Sequence, residues 1–381
     1  MKASSPFRAA LRVGVIGGGQ LARMMVPPAI ELGIDIRVLA ETGGASAAMA
    51  ATAVGDYRDA ETVLAFARDV DVITFDHEHV PQPVLAALVE AGHAVRPGPA
   101  ALAVAQNKIV MRERLGAIGA PVPDWAVARD AAEFGRFLDA HGGRAVVKTP
   151  LGGYDGKGVR VVDAAHGADD WFAAAGPEGL LLEELVDFRR ELSQLVARRP
   201  SGELRAWTLV ETVQRDGACA EVVAPAPGAD ALQSEAGGLA ERIATELDVT
   251  GVLAVELFET ADGRLLINEL AMRPHNTGHW TIDGAVTSQF EQHLRAVLDL
   301  PLGETAPTSP WSVMVNVFGG PVGATMPDRY PAALAAHPDV KFHSYGKESR
   351  PGRKVGHVTA TGVELDGTLA RARAAAGFFE N

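Results

Sequence analysis

The chain of 381 residues has a single cysteine, Cys219, so no disulfide framework can hold it together. That fits a reducing compartment. Long apolar runs are missing too, and none reaches the roughly eighteen residues of a membrane span. The opening "MKASSPFRAALRVGVIGGG" lacks an apolar core ending in a cleavage site, so no secretory signal is expected. An excess of positive charge is also absent. The net charge of −13 argues against a general nucleic-acid binder, though a local basic pocket for a small phosphate stays open. Internal repeats and low-complexity segments are lacking. The expected class is a soluble, cytoplasmic enzyme or small-ligand binder, with two or three domains at this length.

What is present begins with a strand at 13–16, then "GGGQLA" and a helical pattern from 20 to about 32. Pro27 and Pro28 inside that pattern predict a kink or break. Strands and helices alternate to about "VRPGPAALAVAQNK", which predicts a parallel sheet covered on both faces. From Arg144 the strands are closely spaced and read as antiparallel. "ALQSEAGGLAERIATELDV" and "SQFEQHLRAVLDL" read as helices. "GVLAVELFETADGRLLINEL" reads as a hairpin turning at Asp262-Gly263. After Pro310 a small β-rich end is expected.

Two glycine loops stand out. In the first, Gly17-x-Gly19-x-x-Ala22 follows a strand and opens a helix, with Glu41 downstream where a dinucleotide site keeps its ribose acid. A dinucleotide, another phosphate ligand held on helix-start amides, and a tight turn without ligand all remain open. The polar Gln20 favours a ligand of some kind. The second loop is "KTPLGGYDGKGVRVV", 148–162. It is no Walker A loop, because no Lys-Ser/Thr pair leads into a helix. Its glycines let backbone N–H groups approach phosphates, and Lys148 ends the preceding strand as a point charge. A plain surface hairpin would have no need of Tyr154 and Asp155.

Three further groups carry chemistry. With a four-residue loop at 260–263, Glu256 faces Ile267 and Glu269 faces Ala254. The two acids then form a diagonal pair on one face, roughly 7–8 Å apart, suited to Mg²⁺ shared with nucleotide phosphates. A loop of odd length would put them on opposite faces, and Asn268 alternates away from both. The competing reading is a solvated acidic face. "MRPHNTGHWTIDGA" places Arg273, His275, Asn276, His279 and Trp280 in an irregular segment that reads as a polar substrate pocket. Its two histidines have no cysteine or well-spaced third ligand for zinc. "YGKESRPGRK" sets Lys347, Arg350, Arg353 and Lys354 around Pro351 and Gly352, either as a rigid phosphate cradle or as a solvated charge run.

Four stretches, "GVIGGGQLARMM", "VVKTPLGGYDGKG", "INELAMRPHNTGHWTIDGAVTSQFEQHLRAVLDLPLG" and "YGKESRPGRKVGH", together resemble the ATP-grasp superfamily. Within it they are most similar to the N5-carboxyaminoimidazole ribonucleotide synthetases of purine biosynthesis. The resemblance spans nearly the whole chain, and the third stretch is the most specific. It implies an α/β protein with an ATP-grasp fold: a Rossmann-like N-terminal domain over 1–107, an ATP-grasp domain over 108–309 and a small β-rich C-terminal domain over 310–381. The ATP-grasp domain would divide into a lid at about 120–187 and a large subdomain at about 188–309. The implied reaction joins bicarbonate to 5-aminoimidazole ribonucleotide with ATP, through carboxyphosphate, releasing ADP and phosphate. A homodimer is implied as well.

Carried over by position, Lys108 and Lys148 would contact ATP phosphates. Gly152, Gly153, Tyr154, Asp155, Gly156, Lys157 and Gly158 would cover them. Glu183, Glu184, Leu185 and Val186 would read adenine through their backbone, and Glu191 would hold the ribose, with Gln214 beside the nucleotide. Glu256 and Glu269 would hold Mg²⁺ (or Mn²⁺), with Asn268 alongside. Tyr154 and Asp155 would face bicarbonate and the amine, while Arg273, His275 and Asn276 would line the pocket where they react. Lys347, Arg353 and Lys354 would take the ribonucleotide phosphate with Gln20 and Leu21, and Glu78 would touch its ribose. Tyr154, Asp155, Arg273 and Lys347 are the implied catalytic set. The chain departs from the usual pattern at His79 (usually Asn), Gln214 (usually His), Met272 (usually Pro) and Thr277 (usually Ser). Two rivals stay open: a related ATP-grasp enzyme that uses formate, and a dinucleotide binder built on the first loop.

Overall fold

The computed structural model describes residues 11–153, 157–164, 166–320, 323 and 325–379; Tyr154, Asp155 and Gly156 of the second loop lie outside them. The N-terminal unit alternates as expected. Its elements are β1 (Arg12–Ile16), α1 (Gln20–Glu31), β2 (Asp35–Ala40), β3 (Ala51–Val54), α2 (Ala60–Ala67), β4 (Val72–Phe75), α3 (Gln82–Glu90) and α4 (Pro99–Gln106). The sheet is parallel in the order β3-β2-β1-β4. Val13, Val15 and Ile16 are fully buried, as a sheet covered on both faces requires.

The break expected at Pro27 and Pro28 does not occur. Helix α1 runs through both prolines, and Leu32 N–H closes onto Pro28 O at 3.0 Å. An interior proline costs a helix about 3 kcal/mol or more. Burial of Leu21, Ala22, Met24, Met25, Pro28 and Ala29 along this helix opposes that cost.

Asn107 caps α5 (Lys108–Ala117) by accepting from the Ile109 and Val110 N–H groups. A small unit, over the span expected for the lid, follows as β5 (Trp125–Ala128), α6 (Ala131–Ala140), β6 (Ala145–Lys148), β7 (Val159–Val162), α7 (Asp169–Ala174) and β8 (Leu180–Glu183). Its strands pair antiparallel in the order β5-β8-β6-β7, so the second glycine loop joins two neighbouring strands.

The large unit contains β9 (Phe188–Arg198), β10 (Leu204–Ala206), β11 (Val210–Arg215), β12 (Ala218–Ala224), α8 (Asp230–Glu246), β13 (Gly251–Thr260), β14 (Leu265–Ala271), α9 (Thr281–Gly284) and α10 (Gln289–Val297). The C-terminal part adds β15 (Trp311–Phe318), α11 (Tyr330–Ala336), β16 (Lys341–Ser344), β17 (Lys354–Gly362) and α12 (Leu365–Gly377). Its strands extend the large sheet, in the order β14-β13-β9-β11-β12-β15-β17-β16 with β10 beside β9. The basic segment between β16 and β17 is therefore fixed to the same sheet as the β13–β14 hairpin.

Helix α10 binds the N-terminal unit to this sheet. Phe290, Leu294 and Val297 share an apolar cluster with Val13, Val15 and Met25. His293 lies fully buried at that junction. Val252 N–H donates to its Nδ1 at 3.1 Å, so its Nε2–H donates to Thr74 Oγ1 at 2.8 Å. Burial lowers its pKa from 6.5 to about 3. The unfolded chain takes up that proton first, so this contribution to stability is full above pH 6.5 and fades as pH falls toward 3. Its slope is at most about 1.4 kcal/mol per pH unit. The denaturant midpoint is expected to fall between about pH 7.5 and 5.5, and His293→Gln to flatten that fall.

Candidate active site

The β13–β14 hairpin puts both acids on one face by a route the strand arithmetic missed. Its loop is odd: Glu259 pairs with Leu265, and Thr260 N–H bonds Arg264 O at 3.0 Å. By itself that would separate Glu256 from Glu269. A bulge then reverses the effect. Leu257 pairs with Ile267 while Glu256 pairs with Glu269, leaving Asn268 as the extra residue. The acids are thus directly opposed rather than diagonal, and the bulge removes Asn268 from the regular alternation. Glu256 is pushed up to about 8, first by burial and then by the Glu269 and Glu191 carboxylates.

A buried cation network holds this bulge. Arg112, fully buried on α5, donates from Nη2 to the Asn268 carbonyl at 2.7 Å and from Nε to Glu183 Oε1 at 2.7 Å. Lys148 Nζ lies 2.7 Å from Glu183 Oε2 and donates to Asn268 Oδ1 at 3.2 Å. Lys108, one helical turn before Arg112, pairs with Glu269. Burial opposes ionisation of Glu183, but Lys148 and Arg112 outweigh it and hold the carboxyl below its ordinary value. The Glu183 side chain is therefore committed to these two cations. Glu184, Leu185 and Val186 form the non-strand connection from β8 to β9, with Glu184 N–H on Asp124 O at 2.9 Å. Arg112 escaped sequence reading; its signal was the four-residue spacing from Lys108 behind the Asn107 cap.

The glycines of the second loop have stereochemical work. Gly152 and Gly158 take φ of +77° and +71°, and a Cβ on Gly158 would lie 2.4 Å from Thr149 Oγ1. A Cβ on Gly153 would lie 2.6 Å from Lys157 O. Across the sheet, Gln214 lies close enough to Glu191 to act on its carboxyl. Burial raises the Glu191 carboxyl, and Gln214 opposes the shift.

At the other end, Arg273 Nε donates to Glu78 Oε2 at 2.7 Å. Burial works against the Arg273 charge, but Glu78 outweighs it, so Arg273 stays a cation. His275 Nε2 lies 3.4 Å from Glu256 Oε1, and its Nδ1 lies 3.0 Å from Thr277 Oγ1. Burial, with Arg273 and Lys354 nearby, lowers its pKa well below 6.5 and leaves it neutral.

The first glycine loop is largely committed to the protein itself. Asp76 accepts from the Gly19 and Ala22 N–H groups, both at 2.8 Å, and Glu41 accepts from Gly18 N–H at 3.1 Å. His77 and the backbone hold the Glu41 carboxyl down at about 2. Glu41 therefore serves the loop, which removes the basis of the dinucleotide reading. A Cβ on Gly19 would lie 2.0 Å from Asp76 Oδ2, so only glycine fits there. Asp76 also escaped sequence reading. Gln20 does reach the basic segment: Lys347 Nζ donates to its Oε1 at 2.5 Å. Arg23 braces the junction, bonding Ser46 O at 2.9 Å and Ser344 O at 3.0 Å. Arg353 Nη1 bonds Glu348 O at 3.3 Å, and Lys354 lies near enough to act on both His275 and Glu256.

Comparison with known proteins matches this layout. Residues 10–106 match the ribonucleotide synthetase preATP-grasp domain, 113–290 the ATP-grasp domain and 312–371 the phosphoribosylaminoimidazole carboxylase C-terminal domain. The N5-carboxyaminoimidazole ribonucleotide synthase of Mycobacterium tuberculosis is 50% identical over 371 residues, 96% of this chain and 86% of its own. The chain belongs to the N5-carboxyaminoimidazole ribonucleotide synthase family. The Corynebacterium ammoniagenes synthase is 50% identical over 379 residues, 97% of this chain and 92% of its own. The crystal structure of the Aspergillus clavatus synthase with ADP and 5-aminoimidazole ribonucleotide aligns at a TM-score of 0.85 and 31% identity, covering 97% and 98% of the two chains. As a family member, the protein is an ATP-grasp ligase of purine biosynthesis that makes N5-carboxyaminoimidazole ribonucleotide.

Proposed function

We propose that the cleft between lid and large sheet moves the γ-phosphoryl group of ATP to bicarbonate. The exocyclic amine of 5-aminoimidazole ribonucleotide then attacks the carboxyl carbon of the carboxyphosphate, forming the C–N bond and releasing phosphate. The contact of His275 with Glu256 carries this reading, because it sets the substrate-pocket run against the acid pair. Phosphoryl transfer needs positioning and charge neutralisation more than covalent help.

Lys108 and Lys148 would meet the ATP phosphates under the glycine flap. The 183–186 connection would carry adenine, and Glu191 with Gln214 the ribose. Arg273, His275 and Asn276 would hold carboxyphosphate and the imidazole. Lys347, Arg353 and Lys354 with Gln20 and Leu21 would hold the ribonucleotide phosphate, and Glu78 its ribose. Tyr154 and Asp155 keep their implied role toward bicarbonate and the amine. Closure of the flap would shield carboxyphosphate from water.

The acid pair fits Mg²⁺. Two opposed carboxylates, one of them raised to about 8 by burial and its neighbours, form a donor pair that a dication would stabilise further than the Lys108 charge does. Among the described residues no set of three or more His, Cys, Asp or Glu is grouped for a metal, so phosphate oxygens would complete the shell. The cation would neutralise phosphate charge, and Mn²⁺ suits the same oxygen donors. The reading also places the enzyme in the cytoplasm, where its purine-biosynthetic role would be carried out. It takes the enzyme as a homodimer, for which exposed Val54 on the edge strand β3 and exposed Met49 in the turn before it offer apolar surface.

Bicarbonate labelled with ¹⁸O tests the intermediate. Because the bridging oxygen stays with phosphorus when the amine displaces it, the released phosphate is expected to carry one labelled oxygen. Unlabelled phosphate would exclude carboxyphosphate.

A further inference from the structure

Asn276 is held by Asn316, a side chain to which no sequence motif pointed, and Tyr345 and His357 at the two ends of the 345–357 stretch back it. On β15, Asn316 places its Nδ2 2.9 Å from the Cys219 carbonyl oxygen and 3.0 Å from Asn276 Oδ1. A backbone carbonyl only accepts, so the Asn316 atom facing it must be the NH₂ group. The Asn276 atom facing that same NH₂ must then be its carbonyl oxygen, since two amide NH₂ groups cannot bond each other. The order continues inward. Tyr345 O–H donates to Asn316 Oδ1 at 3.3 Å, and His357 Nδ1–H donates to the Tyr345 oxygen at 3.0 Å. Asn316, Tyr345 and His357 are at most 1% exposed, and Asn316 pairs in register with His357 across β15 and β17. Bulk water therefore has no access to reverse the chain of donors, and one carbonyl, that of Cys219, sets its direction.

Asn276 itself is half-buried, next to His275, which faces the acid pair. We infer that Asn316 is a positioning residue that locks Asn276 with its NH₂ toward the substrate cleft, where Asn276 acts as a hydrogen-bond donor. Its partner is then an acceptor: an oxygen of bicarbonate or carboxyphosphate, or the unprotonated ring nitrogen of the imidazole. The Asn276 NH₂ group cannot accept from the exocyclic amine, so that group does not serve as the amine's acceptor. The inference rests on the proposal that Asn276 lines the substrate pocket.

The test is steady-state kinetics of Asn276→Ala, Asn276→Asp and Asn316→Leu, with bicarbonate, aminoimidazole ribonucleotide and ATP each varied in turn. Asn276→Asp keeps the shape and the contact to Asn316 but presents an acceptor where the donor stood. It is expected to lose about a hundredfold in kcat/KM for one substrate, and to be worse than Asn276→Ala. A loss in the bicarbonate series assigns the acceptor to bicarbonate or carboxyphosphate, and a loss in the ribonucleotide series assigns it to the ring nitrogen. Asn316→Leu is expected to raise KM for that same substrate about tenfold with KM for ATP unchanged. Asn276→Asp milder than Asn276→Ala would overturn the donor assignment. Normal kinetics in Asn316→Leu beside a defective Asn276→Ala would overturn the positioning role. Normal kinetics of Asn276→Ala with all three substrates would instead remove Asn276 from the pocket. Should Asn316→Leu fail to fold, the two Asn276 variants still decide the donor assignment.

Discussion

Glu269→Gln is expected to lower turnover with magnesium ATP by about a thousandfold or more, equivalent to about 4 kcal/mol. Glu269 is one of two opposed carboxylates and the ion-pair partner of Lys108. The amide keeps the shape and removes the charge, so the proposed cation would lose one of its two protein anions and Lys108 would lose its partner. Glu256 loses a like-charged neighbour, and its pKa is expected to fall from about 8. The fold should survive, because the Glu269 side chain is 41% exposed. ADP release, titration calorimetry with magnesium ATP and thermal unfolding together check this. Near-normal turnover would take Glu269 out of the metal site, and collapse of the fold would make its role structural.

The second large effect is expected at Arg273. Arg273→Ala should lower kcat by roughly a thousandfold while KM for ATP moves by less than about threefold. The guanidinium is a half-buried cation supported by Glu78, and the hairpin that bears the acid pair leads directly into it. In the proposed site, that sets fixed positive charge where the transferred group would become carboxyphosphate. Arg273→Lys should recover little, because a point charge on a flexible stem cannot reproduce the planar fork. Retention of more than about a tenth of kcat by Arg273→Ala would reduce the residue to a partner for Glu78.

Much of this site was legible in the chain. Strand-loop-helix order, hairpin turn chemistry and the two glycine loops are local signals, and they placed Gln20, Lys148, Glu256, Glu269 and Lys347 on the right elements. The rest depends on contacts between distant segments. The bulge at Asn268 rests on Arg112, 156 residues earlier, which takes up the carbonyl that the ladder releases. Without that knowledge, the assumed even loop and the assumed regular ladder were both wrong, and the errors cancelled. Asp76 and Glu41 claim the first loop's amides across 57 and 23 residues, so that loop read as more open to ligand than it is. The pairing of β12 with β15 joins the β-rich end to the large sheet, and nothing in either strand's composition announces it. Packing kept α1 whole through two prolines that local rules treat as breakers.

The most direct measurement is ADP release with each substrate omitted in turn. Turnover is expected to require both bicarbonate and 5-aminoimidazole ribonucleotide, to yield N5-carboxyaminoimidazole ribonucleotide, and to fall to background in carbon dioxide-free buffer. Formate-supported turnover, or full-rate ADP release without bicarbonate, would contradict the account.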